Sequence, residues 1–185
     1  MAQTLTDRLK MIKNDNDENV LIAELNAALD KADGHFIPMC KIQGNAQQVI
    51  GSGAGQVQLQ YDTTVIDTYA ARSEGPMAVL ANDRIIIRKA GLYLLRVNTL
   101  FLAGTAAGIL RLDMAVNGTT DLSTFDNGTA QASSLEAWQF RILAANDLIT
   151  AFVQQTTGAN RTIDDNTYPN VNCLEAVWLG SAVEV

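Results

Sequence analysis

The chain has 185 residues, 48% of them hydrophobic and 18% charged, enough for one domain with a sizeable core plus an appendage. Thirteen Lys and Arg against 20 Asp and Glu give a net charge of −7, which excludes a broad nucleic-acid-binding surface. No apolar run approaches the ~20 residues a membrane-spanning helix needs. The first eight residues have no apolar core after a basic start, so synthesis in a cytoplasm without a secretory leader is expected.

In chain order, residues 1–33 read as a helical segment. Leu5, Leu9 and Ile12 fall at helical spacing, and so do Val20, Leu21, Leu25, Ala28 and Leu29. Between them Asn14 to Asn19 makes a polar break rich in N-cap residues. Asp15, Asp17 and Asn19 have the spacing of an incipient calcium loop. Val20 stands where the turn glycine belongs, however, and no Glu occupies the twelfth position, so a turn or cap is the reading. Two short amphipathic helices cannot bury their apolar faces alone. They dock either on another chain, through Leu5, Leu9, Ile12, Leu21, Leu25 and Leu29, or on the chain's own domain.

Residues 34–55 read as a connector punctuated by Gly34, Pro38, Gly44, Gly51, Gly53 and Gly55. Its glycine-rich end, residues 51–55, has the composition of a flexible joint. The single histidine, His35, has no Cys or carboxylate cluster beside it and reads as a packed or solvated side chain.

From residue 56 to 185 strand signals recur every 8 to 15 residues. Val57, Leu59 and Tyr61 alternate with glutamines, and residues 63–69 are β-branched. The organising stretch is residues 84–102: a short Ile-rich strand, a hinge at Ala90-Gly91, then a long strand. Tyr93, Leu95, Val97, Thr99 and Phe101 line one face of it. Leu92, Leu94, Leu100 and Leu102 line the other, with Arg96 and Asn98 as a polar patch. Leu110, Leu112, Met114 and Val116 alternate before the tight turn Asn117-Gly118. Residues 134–143 set Trp138, Phe140 and Ile142 on one face, and Asn146-Asp147 turns the chain into residues 148–154. Polar loops are expected at 73–76, 119–130 and 156–172, the last holding Asp164 and Asp165 as solvated residues with some capacity for a cation. The final strand carries Leu174, Val177 and Trp178. Eight to ten strands without helix predict a mainly β, antiparallel sandwich. Cys40 and Cys173 lie far apart in sequence and read as two buried thiols or as one disulfide joining the connector to the last strand.

No Gly-x-Ser-x-Gly elbow, phosphate-cradling glycine loop or zinc-ligand spacing occurs, so the expectation is a protein that is not an enzyme, with no catalytic, cofactor or metal site. Asn-x-Thr triplets at Asn117, Asn127 and Asn160 read as turns.

Three motifs in order carry a resemblance. They are residues 85–93, entering the long strand through Gly91-Leu92-Tyr93; residues 143–155, a turn with Asn and Asp before an apolar strand ending in glutamine; and residues 174–180 at the close. Together they make residues 57–180 similar to the jelly roll of tumour necrosis factor and of the globular heads of complement collagens, in particular the versions in bacteriophage virion proteins. The resemblance implies a homotrimer with aromatic side chains at its threefold axis. Tyr93, Phe101, Trp138, Phe140 and Trp178 are the candidates, set against the reading that they fill the core of one chain. It also implies a capsid decoration (cement) protein or head fibre whose partner is a shell of the major capsid protein and whose location is the virion. The rival reading is a tail-fibre or tail-needle knob that recognises host-surface glycan through its loops.

Overall fold

The computed structural model describes residues 37–164 and 171–181. Among them thirteen strands form two antiparallel sheets, and the helical element is one 3-10 turn, Leu80–Asn82. The expected N-terminal helices, with Leu5, Leu9, Ile12, Leu21, Leu25 and Leu29, lie outside the described residues, as do His35 and Asp165.

The front sheet has seven strands: β1 (Met39–Gln43), β2 (Gln48–Ile50), β4 (Thr63–Asp67), β7 (Gly91–Phe101), β10 (Ser133–Leu143), β12 (Arg161–Ile163) and β13 (Cys173–Gly180). Their order is β2-β12-β7-β13-β1-β4, with β10 along the other flank of β7. The back sheet has six: β3 (Val57–Gln58), β5 (Ala78–Val79), β6 (Arg84–Ile86), β8 (Gly108–Val116), β9 (Thr119–Gly128) and β11 (Leu148–Gln155). Their order is β5-β6-β11-β8-β9, with β3 beside β11.

Period-2 alternation builds the core between the sheets. Tyr93, Leu95, Val97 and Phe101 of β7 are fully buried, as are Leu110, Leu112 and Met114 of β8 and Ile149, Ala151 and Val153 of β11. Each of the larger side chains contributes roughly 1.5–3 kcal/mol on leaving water. Gln155 ends β11 inside this core with its amide satisfied. Its Nε2 donates to the Ile50 and Ala159 carbonyls, and its Oε1 accepts from the Thr157 amide and hydroxyl.

The 84–102 stretch organises the fold by passing from one sheet to the other between β6 and β7. Gly91 sits at that corner with φ +152°, and a Cβ there would lie 2.2 Å from Trp178 Nε1 and 2.3 Å from the Gly180 oxygen. Only glycine permits this approach. Tyr93 pins the corner by donating its hydroxyl to the Lys89 carbonyl at 2.7 Å. Asn117 and Gly118, both at positive φ, turn β8 back into β9.

Several expected boundaries move. Residues 37–55, expected as a connector, belong to the sandwich: the compact unit begins at Ile37, and β1 is held between β13 and β4. The short alternation that buries Cys40 and Ile42 is masked in the sequence by the glycines around it. The expected joint is tethered, because the Gly53 amide donates to the Gln155 carbonyl and the Gly158 amide donates to the Ser52 hydroxyl. Residues 119–128, expected as loop, form β9. Its sequence alternates poorly, but the Asn117-Gly118 turn brings it back along all of β8, where pairing satisfies its backbone. The 156–172 loop contains β12, and its Asp164 is buried instead of solvated, with its amide donating to the Leu100 carbonyl at 2.9 Å. Cys40 and Cys173 are buried free thiols.

Candidate interaction face

The functional reading turns on the outer surface of the front sheet, the side away from the core. Strand register sets its residues in rows. One row runs Met39, Val177, Leu94 and Phe140 across β1, β13, β7 and β10, and beyond it Leu92 pairs with Ile142. Trp138, Phe140 and Ile142 are 60%, 59% and 65% exposed, while Leu92, Leu94, Met39 and Val177 are half-buried. Trp138 and Phe140 meet edge to face, ring centroids 6.0 Å apart and planes at 80°, a favoured aromatic geometry. These three large apolar side chains, neighbours on one face of one strand, form an exposed apolar patch.

The next row carries charge. Lys41 of β1 lies opposite Glu175 of β13, which lies opposite Arg96 of β7, which lies opposite Trp138. Lys41 Nζ is 3.0 Å from Glu175 Oε1, Arg96 Nη1 is 3.4 Å from the same oxygen, and Arg96 Nε is 2.6 Å from Glu136 Oε1. The signs alternate, so the ladder is neutral. The hydrogen bond that Arg96 donates to Glu136, aided by the charge of both carboxylates, raises Arg96 above its ordinary range. Cys173 borders the ladder on the same face. Burial pushes its thiol up, and Lys41 partly opposes that.

The structure separates the five aromatic candidates. Tyr93 and Phe101 are fully buried inside one chain, on the inward face of β7. Trp138 and Phe140 stand on the outer face of β10. Trp178 packs at the end of the sandwich, its ring 4.0 Å beneath Lys89 Nζ and its indole N–H donating to the Ala90 carbonyl at 3.3 Å. Sequence reasoning grouped all five because alternation reveals that a strand has two faces without saying which turns inward. It named Leu94 and Val177 only as strand residues and did not single out Glu136 and Glu175. The visible signal for this face was Ile142 in phase with Trp138 and Phe140.

The back sheet's outer surface is different. Asp113 is fully buried there, accepting from Arg111 Nε and Gln56 Nε2, each at 2.7 Å, and from the Ser123 hydroxyl. Among the described residues no group of three His, Cys, Asp or Glu is placed to hold a metal ion. No described helix is long and apolar enough to cross a membrane.

No protein-family model and no curated protein sequence matches the chain. Solved structures do match in fold. Eiger TNF from S. frugiperda aligns with TM-score 0.55 at 16% identity, over 80% of this chain and 96% of that one. Murine APRIL aligns with TM-score 0.55 at 16% identity, over 78% of this chain and 100% of that one. The globular domain of zebrafish complement 1qA protein aligns with TM-score 0.51 at 11% identity, over 77% and 96%. The described residues therefore have the two-sheet jelly-roll fold of tumour necrosis factor and complement globular heads.

Proposed function

We propose that this chain is a non-enzymatic structural protein of a bacteriophage particle, a capsid decoration (cement) protein that trimerises through its jelly roll. The observation that carries the self-association is the open apolar face of Trp138, Phe140 and Ile142 beside a neutral charge ladder. Residues 1–33 supply the attachment to a shell of the major capsid protein, through Leu5, Leu9, Ile12, Leu21, Leu25 and Leu29. Three attachment segments on one trimer engage neighbouring shell subunits with avidity, since the second and third contacts are effectively intramolecular. Binding only to the assembled shell stabilises it by mass action.

The test is binding of the full chain to shells assembled without it, beside a Leu21→Glu/Leu25→Glu variant. Saturable binding that raises the temperature of shell disruption, and is lost in the variant, is the expected result. Absence of binding by both proteins sinks the cement reading. One observation favours the rival receptor-binding tip: Phe125 on β9 is 60% exposed, with the Arg111 guanidinium 5.2 Å from its ring centre, an arrangement suited to stacking on a sugar. Adherence to host cells that Phe125→Ala abolishes is the outcome that selects it.

A further inference from the structure

We infer that Arg96 is the specificity-determining residue of the front-sheet face, the group that makes this surface acceptable to another copy of the same chain. The inference rests on the self-association proposed above. Arg96 is the hub of the ladder, 2.6 Å from Glu136 on one side and 3.4 Å from Glu175 on the other. Glu175 also holds Lys41 at 3.0 Å, so two cations and two carboxylates neutralise one another across four adjacent strands. The chain as a whole carries −7. Copies of so acidic a chain repel unless the surfaces that meet are neutral. This face provides such a surface, with Trp138 directly opposite Arg96 and Phe140 one row on. A basic partner gains nothing from it, because its carboxylates are already paired. Charge balance thus selects a second copy as the occupant.

The role of Arg96 appears only on assembly. In the separate chain Arg96 and Glu136 are 37% and 48% exposed, so losing the pair leaves a solvated carboxylate and costs the fold little. When another copy covers the face, water leaves. Glu136 then has no cation, Glu175 keeps Lys41 alone, and an uncompensated charge opposes burial beside two aromatic rings. Removing the charge together with its partner relieves that opposition.

Sedimentation velocity of the full chain over a range of concentrations tests this with wild type, Arg96→Ala and the double variant Arg96→Leu/Glu136→Gln. Wild type is expected to associate, and Arg96→Ala to weaken association by about tenfold or more, with an unchanged circular dichroism spectrum and, at concentrations where both are monomeric, an unchanged melting temperature. The double variant is expected to recover association to within about threefold of wild type. Association of Arg96→Ala at wild-type strength overturns the role of Arg96 alone. Equal weakening of both variants also overturns it, by showing that lost packing and not charge is responsible. A wild-type chain that stays monomeric at every concentration overturns the self-association reading and this inference with it.

Discussion

The two sheets present opposite solutions to the same problem, an outer surface that carries charged residues in the middle of a strand. On the back sheet the chain closes the surface itself. Gln56 reaches across to Asp113 and Thr120, Arg111 and Ser123 complete the set, and the Asp113 carboxylate is sealed from water. On the front sheet Arg96, Glu136, Glu175 and Lys41 form a ladder that stays half-open, and the row on one side of it is apolar, with Trp138, Phe140 and Ile142 largely exposed. Charge buried within one chain supports that chain's own fold. Charge left at the edge of an apolar surface governs what the surface meets.

The largest effect is expected from breaking the closed side. Asp113→Ala removes the acceptor of three donors and leaves Arg111 without its ion pair, so unfolding in urea should show a loss of about 3 kcal/mol. A loss under about 1 kcal/mol would mean that the cluster is relaxed by water and is not sealed. Gln56→Ala withdraws one donor to the same carboxylate and should cost about 1.5 kcal/mol by the same measurement.

The thiols sharpen the contrast between core and face. Burial raises Cys40, inside the sandwich, and Cys173, on the front face, above the ordinary thiol range. A raised folded-state value stabilises the fold fully below the unfolded thiol value near 8.5, and that stability is lost as pH climbs above it. The free energy of unfolding in urea should therefore fall between pH 8 and 10, by about 1.4 kcal/mol per pH unit per thiol at most, and Cys40→Ala should flatten the slope. A thiol reagent at pH 8 should label neither cysteine before unfolding, and rapid labelling of Cys173 alone would show that the face opens.

The smallest effect on the separate chain belongs to Trp138→Ser and Phe140→Ser. Each should change unfolding free energy by no more than about 0.5 kcal/mol, since both rings are largely in water. Their effect on sedimentation should be much larger than that. Equal losses of stability and association would merge the two faces into one structural role.

The sequence by itself determined the alternation within strands and several of the turns. Alternation at Tyr93 to Phe101, Leu110 to Met114 and Trp138 to Ile142 is a local consequence of pleating, and the turns at Asn117-Gly118 and Asn146-Asp147 follow from residues that tolerate positive φ. The glycine at position 91 was also legible, as the one residue a sharp corner accepts. Tertiary structure alone decided which face of each strand turns inward. Tyr93 and Trp138 sit on strands with equally clear alternation, yet one is buried and the other exposed, because β10 must turn Leu135 and Ala137 toward the core when it pairs with β7. The same holds for β1 and β9, whose weak patterns become strands only because neighbours satisfy their backbone. The Arg96 ladder has the same origin. Lys41, Arg96, Glu136 and Glu175 are scattered over 135 positions of sequence, and sheet order sets the first, second and last in one row with Glu136 in the row beside them.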